Sequence, residues 1–438
     1  MGNTDWVART QSAVWHPCTQ MKQQLATPPL VIARGHGVWL YDDAGQGYID
    51  GISSWWVNLF GHANPRINAA IVDQLNKVEH VMLAGCTHAP VVELSEQLAQ
   101  LTGLGHAFYG SDGASATEIA LKMSFHYWRN VGLSEKTEFI SLKNSYHGET
   151  LGALSVTDVA IFKDTYAPLL RQSVQVMSPD SRLAAADESA LDYALRAAQD
   201  VAHYFAQHHQ QLAAIIVEPL VQGAAGMAMY DPVYLQRVRE LCDQYQVHMI
   251  ADEIAVGFGR TGTMFACEQA AVKPDLLCLS KGITGGYLPL SAVLTTDVIY
   301  NAFYADSTAL GFLHSHSYTG NPLACRAALA SLAIFAEDDV LAQNVRRGDY
   351  LDGVAYALRT HPRVIHYRRT GMIWAFDVVN APADFARQFY LAALTQGVLL
   401  RPIANTVYFM PPYVISEAEI DQLVSAALSA LDAVLGAA

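Results

Sequence analysis

The chain has 438 residues, with 27 Lys and Arg against 41 Asp and Glu, a formal charge of −14. Charged residues make up 16% of it, against about 25% in an average soluble chain, which implies a large core, a buried subunit interface, or both. That composition excludes a disordered chain, a coiled coil and a small stapled scaffold, and the net acidity argues against a nucleic-acid partner, which needs basic patches.

In chain order, the first thirty residues carry Asp5, Arg9 and Lys22 and contain no apolar signal region. Residues 1–65 are rich in Gly and Trp, with a strand-like piece at Gly37–Tyr41 and a turn at Asp42–Gly47. From about 66 to 325 helical and strand patterns alternate. Ile67–His80, Val91–Leu101 and Ser115–Val131 read as helices, and Thr137–Leu142, Leu212–Glu218, Val247–Ala251 and Leu276–Ser280 as short, almost wholly apolar strands. Such strands between helices predict a parallel sheet buried on both faces. Ser178–Glu188 reads as a surface excursion. After 326 come helices with strands near Val364–Tyr367, Met372–Val378 and Val407–Met410. The expectation is an α/β fold: a large domain over 66–325, and a smaller α+β domain formed by 1–65 and 326–438. No apolar run approaches the roughly eighteen residues of a membrane span, so a cytoplasmic protein is expected, with no membrane partner. Six scattered cysteines form no CxxC pair, which fits a reducing compartment and gives no zinc site.

Ligands of open parallel sheets sit at the carboxyl ends of the strands. Three such ends carry polar residues: Glu218, Asp252 and Lys281. A lysine there can form a Schiff base, and a carboxylate on the next strand can keep a pyridine nitrogen protonated. A buried Asp–Lys ion pair without chemistry fits the same spacing equally well. Ile254, on the same side of the strand as Asp252, could pack on a ring held there. Gly113 and Ala114 precede what reads as a capping box, Ser115 with Glu118, opening a helix whose N-terminus would suit an anion. Gly257-Phe-Gly-Arg-Thr-Gly262 satisfies GxGxxG, but the next strand follows too soon for a crossover helix, so the dinucleotide reading fails. His147, His314 and His316 lack metal-ligand spacing, and no metal is expected.

Taken in order, Ser-Asp-Gly-Ala114, Tyr146-His-Gly, Ile-Val-Glu-Pro219, Ala-Asp-Glu-Ile254, Ser-Lys-Gly282 and Thr319-Gly-Asn-Pro322 resemble the class III aminotransferases of fold type I, over essentially the whole chain. The resemblance implies pyridoxal 5'-phosphate as cofactor. It implies that Lys281 carries the cofactor and shuttles the proton, that Asp252 pairs with the ring nitrogen, and that Tyr146 and Ile254 cover the two ring faces. The backbone of Gly113 and Ala114 would hold the phosphate. His316 and Ser317 would reach it from a second copy, which implies a homodimer with shared sites.

A second set of motifs, Trp15-His-Pro-Cys-Thr-Gln-Met21, Asp50-Gly-Ile-Ser-Ser-Trp-Trp56 and Arg401-Pro402, is similar to the biotin-pathway branch of that family. This implies S-adenosylmethionine as amino donor and 8-amino-7-oxononanoate as acceptor. Trp55, Tyr146, Lys281, Ser315, Cys18 and Arg260 would contact substrate, and Arg401 would bind the acceptor's carboxylate. The alternative within the family is an ω-amino acid or diamine with an oxo acid. Three positions depart from the usual pattern. Cys18 stands where well-known members have Tyr, Ala114 where Ser is frequent, and Ser315-His-Ser317 where Gly-Pro-Thr is common.

Overall fold

In the computed structural model, which describes residues 5–436, seven strands form the central sheet. Their order is His106–Gly110, Ser291–Thr295, Leu276–Leu279, His248–Asp252, Leu212–Val217, Glu138–Leu142 and Val174–Val176. Ser291–Thr295 runs antiparallel to both neighbours, and every other pair is parallel. Every residue of the four middle strands, from Ser291–Thr295 to Leu212–Val217, is buried. This follows from helices on both faces, which leave no side of a strand for water. Helix Gly113–Asn130 packs along the sheet with Ala116, Ile119, Ala120 and Met123 inward, the helical period read from sequence.

A second sheet joins the two ends of the chain. Ile32–His36, Trp39–Asp42 and Gly47–Asp50 pair antiparallel, and Val398–Leu399 adds parallel to the last of them, Val398 opposite Ile49. Val364–Thr370, Ile373–Val378 and Thr406–Phe409 make a third, antiparallel sheet.

Several local expectations are corrected. The strand Gly37–Tyr41 is a hairpin, because Gly37 at φ +55° turns the chain between two strands. Helix Ile67–His80 is Pro65–Leu75: Asn64 accepts from the N–H groups of Arg66 and Ile67, and Pro65 occupies the first turn, so it starts earlier and stops sooner. The capping box at Ser115 is absent. Asp112 caps that helix by accepting from the Ser115 N–H, while Glu118 instead accepts from Thr150 and the Gly152 N–H. Ser178 and Asp180, assigned to a surface excursion, are buried, and Asp180 is paired with Arg182. Residues 257–262 form turns, followed only by the single 3-10 turn Ala266–Ala270, so no dinucleotide-binding crossover exists there.

Candidate active site

The carboxyl ends of three adjacent central strands deliver Glu218, Asp252 and Lys281 to one place. Lys281 follows strand Leu276–Leu279 with φ +45°, a conformation an L-residue holds only when its surroundings require it. Its Nζ lies 4.9 Å from the centroid of the Trp56 ring. Among the described residues it has no hydrogen bond and no carboxylate within ion-pair distance, so the buried Asp–Lys pair is not formed. Burial lowers the pKa of the amine from its ordinary value, against the pull of Asp252 and Glu218.

Asp252 is occupied on both oxygens. His147 Nδ1 donates to Oδ2 at 2.6 Å, and the Ile254 N–H donates to Oδ1 at 3.1 Å. His147 is fully buried at its side chain, and its Nε2 has no partner among the described residues. Glu218 accepts from the N–H groups of Tyr146 and Gly223, each at 3.0 Å. Burial pushes its carboxyl up to about 7, with Asp252 adding to the rise and His147 opposing it. Glu253, next to Asp252, points elsewhere and accepts from the Ala266 and Cys267 N–H groups.

At the start of helix Gly113–Asn130, Asp112 uses the Ser115 N–H and the Asp112 carbonyl accepts from Ala116. Among the described residues the N–H groups of Gly113 and Ala114 have no acceptor, which leaves the first turn open to an anion. A Cβ at Gly113 would come within 3.0 Å of Ile254, so the glycine lets this turn close onto the residue beyond Asp252.

Around the lysine, the Tyr146 hydroxyl donates to Glu149 at 2.9 Å and its ring meets Phe162 edge-on. The Arg401 guanidinium lies 4.7 Å from the Trp55 ring. The pKa of the Cys18 thiol is raised, chiefly by burial and then by Glu149, with Arg401 opposing, and Cys18 acts in turn on Tyr146. Cys18, Tyr146, Glu149, Trp55 and Arg401 are thus gathered at one mouth. Ser315 and Ser317 are exposed, and their side chains make no hydrogen bond among the described residues. His316 bonds through Nδ1 to Ser111 Oγ of its own chain at 3.0 Å, and through Nε2 to His314.

Arg260 is 1% exposed, donating to the carbonyls of Pro411 and Asn58 and lying against the Tyr413 ring, while its Nε has no partner among the described residues. It clamps the chain around Trp56 to the segment 410–413. The sequence reading also missed three residues: His147, weighed only as a metal ligand, Glu149, and Trp56. Glu149 stands three residues after Tyr146 in a loop rather than a helix, so no spacing in the sequence announces their hydrogen bond.

The residues fit pyridoxal 5'-phosphate. An unpartnered amine, an adjacent carboxylate backed by an imidazole, and an open helix N-terminus meet at the end of one sheet. Among the described residues no cluster of three or more His, Cys, Asp and Glu is placed to hold a metal, and no helix is long and apolar enough to cross a membrane.

Comparison with known proteins agrees. The model of the family "Aminotransferase class-III" matches residues 20–431. The adenosylmethionine-8-amino-7-oxononanoate aminotransferase of Helicobacter pylori is 44% identical over 426 residues, covering 96% of each chain. The crystal structure of the Methanocaldococcus jannaschii enzyme of that name superposes with a TM-score of 0.92 at 35% identity, covering 98% of both chains. An amine transaminase from an uncultivated Pseudomonas species, solved with its pyridoxal phosphate bound, superposes at 0.91 with 31% identity, over 96% of this chain and 99% of its own. By sequence, fold and site geometry together, the chain belongs to the class III aminotransferases, enzymes of fold type I that depend on pyridoxal 5'-phosphate.

Proposed function

We propose that the chain transfers an amino group from S-adenosylmethionine to 8-amino-7-oxononanoate, the transamination of biotin synthesis. The observation that carries the reading is Lys281, a free amine without a counter-ion beside Asp252 at the end of the central sheet. The substrate pair comes from the relatives, whose names state both substrates over nearly the full length.

When bound, pyridoxal phosphate supplies the electron sink that lets a C–H bond beside the amine ionise. The N–H groups of Gly113 and Ala114 would bind its phosphate, Tyr146 and Ile254 would hold its two faces, Asp252 would keep a proton at its ring nitrogen, and Lys281 would hold it covalently. The Lys281 amine, when free, is the base that takes a proton from the donor carbon and returns one to the acceptor carbon. Arg401, beside Trp55 and Cys18, binds the acceptor's carboxylate by charge-assisted hydrogen bonds.

The same reading places the enzyme in the cytoplasm as a homodimer. Tyr304, Leu313 and Tyr318 are strongly exposed on the segment that carries His316 and Ser317, as a face covered by a second copy would be. It also divides the chain at 65 and 325, with the outer segments joined through Val398 and Ile49.

The test is a half-reaction. S-adenosylmethionine, lysine, alanine and an ω-amino acid are added separately to the purified holoenzyme, and the absorbance of the bound cofactor is followed. Loss of the pyridoxal absorbance with S-adenosylmethionine, restored by 8-amino-7-oxononanoate, is the expected result. A response to alanine or the ω-amino acid alone would overturn the substrate assignment. No response to any amine would overturn transamination.

A further inference from the structure

Under the function proposed above, on which this inference rests, Lys281 is a free amine for part of every cycle. A buried ammonium with nothing to face it is costly. A contacting carboxylate would hold its proton too firmly to be passed on. The structure has a third arrangement.

The face that meets Nζ is the ring of Trp56, at 4.9 Å from its centroid. The indole is fixed from several sides. Its Nε1–H donates to the Tyr408 hydroxyl at 3.1 Å, and the two rings meet edge-on at 6.2 Å. A Cβ at Gly223 would come within 3.0 Å of the indole's Cη2 and Cζ3, so glycine leaves the ring its space. Trp56 ends a run of four residues, Ser53 to Trp56, all with positive φ. L-residues avoid that conformation unless local bonds hold it. Here Asp50 accepts from the Ser54 N–H at 2.9 Å and from its hydroxyl at 2.7 Å, while Ser53 donates to the Met410 carbonyl at 2.7 Å.

We propose that Trp56 is a positioning residue for proton transfer, whose ring face holds the Lys281 amine when it is free of the cofactor and stabilises its ammonium form without a counter-ion. The charged groups that face Lys281 are Asp252 and Glu218 on the two neighbouring strands, and both favour the ammonium, while burial disfavours it. The ring adds to the first side without offering the proton a basic atom.

The experiment uses apoenzyme and pyridoxal phosphate. The rate of cofactor capture at Lys281, trapped with borohydride and located by peptide mass, is measured against pH. Only the neutral amine captures, so the midpoint of the profile reports the titration of Lys281. Trp56→Leu is expected to move that midpoint down by about one pH unit, a change of about tenfold in proton affinity, and Trp56→Phe by about half as much. Circular dichroism and the thermal midpoint establish that each variant is folded. If Trp56→Leu does not fold, Trp56→Phe decides. Capture at Lys281 with an unmoved midpoint in the folded variants overturns this inference alone. Failure of wild-type apoenzyme to capture the cofactor at Lys281 overturns both this inference and the function proposed above.

Discussion

His147 donates a 2.6 Å hydrogen bond from Nδ1 to Oδ2 of Asp252, and both side chains are almost wholly buried. An ionised carboxylate can only accept, so Nδ1 carries the proton of this bond. The Ile254 N–H fixes the other oxygen, and Asp252 is held with one orientation toward the space beside Lys281. A hydrogen bond to a charged group is worth about 1.5–3 kcal/mol, so His147→Phe is expected to slow the proton-abstraction step by about 10- to 150-fold. Single-turnover kinetics of the donor half-reaction check this. Cofactor content should stay near wild type, because the phosphate and Lys281 contacts are untouched. A rate within twofold of wild type would refute a positioning role for His147.

Arg401 reaches solvent at the mouth of the site and rests on the Trp55 ring, which leaves its guanidinium free to turn to a carboxylate. Arg401→Leu keeps most of the apolar stem and removes the charge. The expected outcome is a rise in KM for 8-amino-7-oxononanoate of about tenfold or more, from the loss of a charge-assisted contact. Lys281 and Asp252 are unaffected, so the spectrum of the resting holoenzyme should not change. An unchanged KM for the acceptor would place its carboxylate elsewhere.

Much of this site was legible in sequence because its residues end apolar strands. Glu218, Asp252 and Lys281 are conspicuous where everything before them is buried, and the structure brings all three together. Strands Ser291–Thr295 and His106–Gly110 were not read: the first is a short antiparallel strand buried on both faces and the second a half-buried edge strand, so neither shows a distinct period. The surroundings of Arg260 were not legible for a physical reason: an arginine suggests an ion pair or a substrate anion, and here its terminal nitrogens donate to main-chain carbonyls from segments about 150 and 200 residues away. The left-handed run Ser53–Trp56 carries no glycine to announce it, and depends on Asp50 and the Met410 carbonyl, contacts that only the tertiary fold supplies.

A prediction about stability concerns Asp377. Its carboxylate receives Arg368 at 3.1 Å, Arg182 at 3.3 Å, His366 at 3.1 Å and the Thr406 hydroxyl at 2.8 Å. Arg182 comes from the large-sheet side of the chain, and Arg368 also donates to the carbonyls of Gly226 and Met227, so this one carboxylate ties distant segments. Burial pushes its pKa up, but Arg368, Thr406 and Arg182 outweigh that and hold it below the usual range. Removing Asp377 leaves the buried Arg368 without a carboxylate, while Arg182 keeps Asp180, and breaking a buried pair in this way costs about 3–5 kcal/mol. Asp377→Ala should therefore lower the urea midpoint markedly, while cofactor capture at Lys281 in the folded fraction persists. A midpoint equal to wild type would show that the cluster is dispensable.

Lys136 offers a test by pH. Lys136 is 5% exposed and among the described residues pairs with no carboxylate, donating instead to the carbonyls of His209 at 2.7 Å and Leu212 at 3.0 Å, with Trp128 at 4.7 Å. Burial pushes its pKa down from the ordinary 10.5 to about 8. Between those two values the unfolded chain binds more protons than the folded one, so the contribution of Lys136 to stability rises with pH across that window. Below the folded value the penalty for burying the charge is fully present. Lys136→Met removes the titration and leaves every other group in place. The difference in Tm, wild type minus Lys136→Met, should therefore become more positive as pH rises from 8 toward 10.5. Taking the difference cancels the titration of tyrosines and cysteines common to both proteins. A difference that stays level across the window would mean that Lys136 keeps its ordinary pKa in the fold, with its two carbonyl partners and Trp128 repaying the whole cost of burial.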